Sequence, residues 1–259
     1  FVCRLDPAQS GAAQLVWSTR VAGSGDDNGA GLHVDASGIV TVSGPTQSAD
    51  LPTTAGAYDT SFNGVQDLFV LRLDPGEVGA AQLLWSTYVG GTDNEGQSRR
   101  DLAVDDAGVV TVGGLTSSTD FPTTPGAFQP SAYPGSSDAV VFRLDPTRTG
   151  ADQLVASTHL GGTQGDTDAR LDITPDGRVV AAGWTASSDF PVTAGAYQQT
   201  HPLPGSPVGF VTVLDPGLTT LLASTFLSGS VAAPAGANPG GVNAVAAGGS
   251  GVVTLVGST

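Results

Sequence analysis

The chain has 259 residues, enough for one large all-β domain or two smaller ones, and its 9 basic against 24 acidic residues give a net charge of −15. All nine basic residues are arginine, and that balance repels phosphate backbones and anionic lipid, so nucleic acid and membrane surfaces are excluded as expected partners. No apolar run is long enough for a membrane-spanning helix, which excludes membrane insertion for this segment, and the single Cys3 excludes an internal disulfide.

The predicted elements run in chain order as sixteen strands of four kinds. The first is "FVCRLDP" at Phe1, followed by "QLVWSTRVAG" from Gln14 to Gly23, "LHVDASG" at Leu32 and "IVTVSGPT" at Ile39. The same order returns as "FVLRLDP" at Phe69, "QLLWSTYVGG" at Gln82, "LAVDDAG" at Leu102 and "VVTVGGLT" at Val109. It returns again as "VVFRLDP" at Val140, "QLVASTHLGG" at Gln153, "LDITPDG" at Leu171 and "VVAAGWT" at Val179. The last round is "FVTVLDP" at Phe210, "LLASTFLSG" at Leu221, a looser "VNAVAAGGSG" at Val242 and "VVTLVGST" at Val252. Each phrase is a short apolar or alternating run closed by Gly, Pro or Asp, which is the pattern of a strand. Thirty-seven glycines, 17 prolines and a preference for Asp over Glu of 22 to 2 suit turns rather than helix faces. "DASG", "DDAG" and "PDG" join the third phrase to the fourth, with glycine supplying the positive φ of a tight turn.

The fold class expected is therefore all-β, a β-propeller of four four-stranded antiparallel blades in one domain over residues 1–259. Naming the strands A to D from axis to rim, the chain starts on a C strand and stops after a B strand. The blades fall at about 30–91, 100–162 and 169–229, and the fourth combines 240–259 with 1–23. Pairing of the N-terminal C and D strands with the C-terminal A and B strands would close the ring and remove an open edge. The competing expectation is a fragment of a propeller with more blades. Because Phe1 is not a methionine, a processed product or an excised piece is expected.

"WSTYVGGTDNEGQ", "LAVDDAGVVTVGGLTSSTDFPTTPGAFQ" and "DAVVFRLDP" resemble the SBBP-type bacterial β-propeller repeat, and the resemblance spans essentially the whole chain. It implies a secreted or cell-surface bacterial protein, with other domains in a larger chain, and it implies no catalytic residues.

Read residue by residue, the Ser-Thr pairs at 18–19, 86–87, 157–158 and 224–225 suit packing between blades and pairing of hydroxyls. Asp6, Asp74, Asp145 and Asp215 read as turn caps before proline, and Cys3 as an apolar filler. Asp50, Asp120 and Asp189 open the long B-to-C loops, where each carboxylate can staple its own loop and Phe121 or Phe190 can plug a crevice between blades. His33, His159 and His201 fall at unrelated positions, and Arg99-Arg100 is a basic pair in an acidic field. In the D-to-A loops, Asp26 with Asn28, Asp93 with Glu95, and Asp166 with Asp168 put oxygen side chains two residues apart, a spacing that could chelate Ca²⁺.

The function expected is a non-enzymatic extracellular or cell-surface binding or display module that presents a loop-rich face to a protein or glycan ligand. The alternatives are a calcium-dependent polysaccharide hydrolase or lyase using the loop acids, and a structural repeat in a surface assembly.

Overall fold

The computed structural model describes residues 1–97, 102–134, 136–167, 170–228, 241–248 and 251–257. It is an all-β structure of antiparallel sheets, mostly four-stranded, in which every predicted phrase forms a strand. β1 (Val2–Leu5) pairs with β2 (Leu15–Thr19) as a two-stranded sheet. β3 (Gly31–Val34), β4 (Val40–Thr46), β5 (Asp67–Leu73) and β6 (Leu83–Val89) form a meander. The third sheet has β8 (Leu102–Val104), β9 (Val110–Thr116), β10 (Asp138–Leu144) and β11 (Leu154–Leu160), with the two-residue β7 (Glu95–Gly96) beside β9. A second clean meander follows in β12 (Arg170–Ile173), β13 (Val179–Thr185), β14 (Val208–Leu214) and β15 (Leu221–Leu227). β16 (Val242–Ala247) and β17 (Val253–Gly257) make a final pair.

The sheets stack face to face in chain order, which explains why the C strands read as unbroken apolar runs. Along β5, Leu68 and Val70 enter a core shared with Val110, Val112, Val140 and Phe142 of the next sheet. Phe69 and Leu71 point the other way, into a core with Tyr88 against which Val2, Trp17 and Val21 of the first half-sheet pack. β10 repeats the device: Val140 and Phe142 face back, while Ala139 and Val141 face forward onto Val179, Phe210 and Phe226. A strand buried on both faces needs no polar side, so period two is lost from its sequence.

The turn chemistry follows the sequence. Gly38, Gly108 and Gly177 take φ of +85°, +81° and +83° at the A-to-B turns. Asp6, Asp74, Asp145 and Asp215 each accept the amide two residues on, from Ala8, Gly76, Thr147 and Gly217. Short 3₁₀ turns at Gly11–Gln14, Gly79–Gln82 and Gly150–Gln153 connect the first three C strands to their D strands.

The Ser-Thr phrase does more than pair hydroxyls, as Ser224 does with Thr212. The long loop after each B strand doubles back along the outer D strand of its own sheet. Ser86 N–H donates to Thr54 Oγ1, Asp59 N–H donates to Thr87 Oγ1, and Tyr88 N–H donates to Asp59 O. Ser157, Thr158 and His159 meet Thr124 and Gln129 in the same way, and Ser224, Thr225 and Phe226 meet Thr193 and Gln198. The outer strand's free amides are thereby satisfied, which blunts an edge that would otherwise recruit another strand.

Among the described residues, β1 and β17 lie in different sheets, each paired with its hairpin partner. Each half-sheet instead rests on its neighbour in sequence. Arg4 donates to Gly38 O at one end, and Asp172 Oδ2 accepts Ala247 N–H at the other. Cys3 is exposed on β1 rather than an apolar filler, because that half-sheet has no neighbour on its far side here.

Candidate functional site

Of the six oxygen ligands expected in the D-to-A loops, the structure turns some inward and some out. Asp26 and Asn28 are exposed, as is Asp93, whose Oδ1 accepts the side-chain amide of Asn94. Glu95 and Asp166 are completely buried, and Asp168 lies outside the described residues. Asp93 and Glu95 therefore do not converge: Asp93 lies in the exposed bend before β7, while Glu95 opens that strand and is buried. In the first round the corresponding place falls to the half-buried Asp27, one residue from where the spacing suggested. Among the described residues, no three His, Cys, Asp or Glu side chains gather as a metal would require.

What the loops build instead is a repeated carboxylate cradle. Asp27, Glu95 and Asp166 accept the amides of Gly23, Gly91 and Gly162 and the hydroxyls of Ser48, Ser118 and Ser187. Thr46 and Thr116 add their hydroxyls to Asp27 and Glu95. Asp50, Asp120 and Asp189, expected to staple their own loops, reach across to Ser24, Thr92 and Thr163, accepting both amide and hydroxyl. Those bonds hold the Asp50 and Asp120 carboxyls below the ordinary carboxylate range.

Sequence reasoning missed two further acids, Asp67 and Asp138, at the heads of β5 and β10, both with no exposed surface. The signal was present in "DLFVLRL" and "DAVVFRL", where an aspartate opens an otherwise apolar strand. Asp67 faces Glu95 across Gly90: a Cβ on that glycine would press on Asp67 Oδ1 and stand 2.8 Å from Glu95 Oε2. Asp138 faces Asp166 across Gly161, whose Cβ would lie 2.7 Å from an oxygen of each. Burial, with the neighbouring carboxylate adding to it, pushes Asp67 up to about 6 and Asp166 up to about 7. Burial also raises Asp138 to about 6 and lifts Glu95 above the usual range.

A cavity of about 730 Å³ lies elsewhere, between the inner strands β8 and β12, with His33 of β3 on its wall. Asp105, Asp106, Asp172 and Asp176 line it. Arg143 neutralises Asp105 at 2.6 Å and Arg178 neutralises Asp176 at 2.9 Å. Asp172 is held by amides of Ile173 and Ala247, and Asp106 is exposed. Neither is in an ion pair among the described residues, so two carboxylates give the wall a net negative charge.

The three histidines stay apart. His33 is on the cavity wall; His159 is buried against Phe121, and His201 is buried with Nε2 facing Thr185 O at 3.4 Å. Trp85 packs in the core and donates to Gln153, while Phe121 and Phe190 do plug the seams between sheets. Arg99 and Arg100 lie outside the described residues. No helix among the described residues is long and apolar enough to cross a membrane. Neither a protein-family model nor a curated protein matches the chain.

Proposed function

We propose that this chain is a non-enzymatic binding or display module of the β-propeller type, working outside the cell or at its surface. The observation that carries the reading is the acid-lined cavity of about 730 Å³ between the inner strands. Two aspartates with no ion pair among the described residues, in the wall of a cavity on a chain of net charge −15, favour a basic protein segment as the ligand. This moves the binding surface from the clasped loops to the cavity's mouth. A lysine-rich peptide is expected to bind at low salt, and the Asp106→Asn, Asp172→Asn double variant to bind it about tenfold more weakly. Calorimetry with an acidic peptide as control decides. Equal affinity for the variant, or for the acidic peptide, sinks the cavity as the site.

The propeller reading includes a fourth blade completed by β17 against β1, as in the SBBP-type repeat arrangement the phrases resemble. Its register is set by the joint of β9 with β10, where Val112 faces Phe142 and Val110 faces Leu144. On that register Leu255 faces Cys3. Leu255→Cys is expected to give a disulfide with Cys3 inside one chain under mild oxidation, read on a non-reducing gel. A second reading, assembly of copies, is favoured by exposed apolar residues on both end hairpins, including Leu5, Val16 and Val256. Linkage only between chains would move the proposal to that reading, and no linkage would leave neither standing.

A further inference from the structure

The two carboxylate pairs sit where one sheet meets the next. Asp67 heads β5 in the second sheet, while Glu95 lies on β7, which pairs with β9 in the third. Asp138 heads β10 in the third sheet, while Asp166 bridges to Thr185 in the fourth. Each pair therefore spans a seam.

Four acids with essentially no exposed surface need neutralising, because an isolated buried charge is far costlier than a proton taken up. Arg72, Arg143, Arg148 and Arg178 form their ion pairs with Asp35, Asp105, Asp145 and Asp176, and so with none of the four. Most oxygens of the pairs already have donors. Glu95 takes Thr116, Ser118 and Gly91; Asp67 Oδ2 takes Asn63 N–H; Asp138 Oδ2 takes Tyr133 N–H. Asp67 Oδ1 and Asp166 Oδ1 have no hydrogen-bond partner among the described residues, and Asp67 Oδ1 and Glu95 Oε2 both crowd Gly90. A proton on Asp67 Oδ1 would give that atom a hydrogen to direct across Gly90 towards Glu95. Among the described residues no third His, Cys, Asp or Glu joins either pair, and a calcium ion prefers six to eight oxygens.

The repeat supplies its own control. Glycine stands at positions 90 and 161, where a C-strand aspartate presses on it. In the fourth round Ser228 takes the glycine's place, and Val208 stands where Asp67 and Asp138 stand. The missing side chain and the paired acid occur together or not at all.

We propose that each pair is held as one acid and one carboxylate sharing a proton, and that the two couples are proton latches across the inner seams. Each takes its proton from solvent in acid, which tightens the stack, and returns it to solvent as the pH rises, which sets two like charges against each other. Asp59 on the long loop and Asp120 on the next one add negative charge around Asp67–Glu95. Around Asp138–Asp166 stand Ser136, Thr185 and Ser187, with His201 behind Thr185.

The sign follows from linkage. These carboxyls hold their protons in the folded state above the pH at which the unfolded chain releases them. Their contribution is complete below about pH 4 and is lost as pH rises through about 6 to 7. The test compares urea denaturation of the wild type and the Asp67→Asn, Asp138→Asn double variant from pH 4 to 8, without calcium and with it. Each amide keeps the shape and donates without titrating. The wild-type folding constant is expected to fall, relative to the variant's, by at least about tenfold from pH 5 to 8. Taking the ratio cancels groups whose titration the substitutions leave alone, His159 included. Parallel profiles overturn the latch, as does a wild type whose loss at pH 8 is restored by calcium. Should the variant not fold, carboxyl ¹³C titration of the wild type decides: aspartate resonances that all titrate in the ordinary range overturn the proposal.

Discussion

Replacing Arg143 by alanine is expected to destabilise the protein by about 3 kcal/mol in urea denaturation, the cost of leaving a buried charged hydrogen-bond network broken. Arg143 is 7 % exposed and ties three places together. Its guanidinium donates to Asp105 Oδ2 at 2.6 Å, to Thr111 Oγ1 at 3.2 Å, and to Pro216 O in the following unit at 2.8 Å. Lysine cannot fork to three acceptors, so Arg143→Lys should recover only a small part of the loss. Arg72, at the same place in the second round, makes one longer bond of 3.2 Å to Asp35 and is more exposed. Arg72→Ala should cost about 1 kcal/mol, nearer to a surface pair. Equal costs for the two alanine variants would show that the bond to Pro216, and with it the tie between units, contributes nothing.

Replacing His159 by phenylalanine is expected to stabilise the protein, and most strongly in acid. His159 is 1 % exposed, and neither ring nitrogen has a partner among the described residues. In the previous round Tyr88 fills this place and its hydroxyl joins Leu51 N–H to Ser48 O, a reach that an imidazole lacks. In the next round the place holds Phe226, beside Phe190 at 6.3 Å between ring centres, so a phenyl ring is already accommodated by the repeat. At neutral pH the gain is the removed cost of an unpaired polar group, about 1–2 kcal/mol. Burial also pushes the imidazole down from its ordinary range to about 4. Its stability contribution is whole above the unfolded value near 6.5 and is lost as pH falls to about 4, so the variant's advantage should grow by about 3 kcal/mol over that interval. Thermal melts at pH 7 and pH 4.5 measure it, and an advantage that does not widen in acid would mean the ring is already paired or protonated. His159 and the acid pairs pull in opposite directions, so the wild-type optimum falls between them.

The strands were legible because the chain states each of them four times, and repetition separates a structural phrase from an accident. The glycines at 38, 108 and 177 and the aspartate caps were legible for a different reason: their chemistry is completed within a few residues. Asp67 and Glu95 were not, since 28 positions separate two side chains that only the stacking of sheets brings together. Nor could the spacing of Asp93 and Glu95 reveal that one faces water and the other the core, because a two-residue strand decides it. A pairing of β1 with β17 would rest on every seam between them and is written in no single phrase.

The clasp of each long loop over its own outer strand has a consequence for how such a chain could have grown. A unit copied in tandem arrives with the strap for its own rim already inside it, reaching from Thr54, Thr124 or Thr193 to the serine of the same sheet. Duplication then adds one seam and an outer strand that is already strapped. The repeat is in this sense a brick that carries its own mortar on one side only, and lengthening proceeds along the stack rather than out from it.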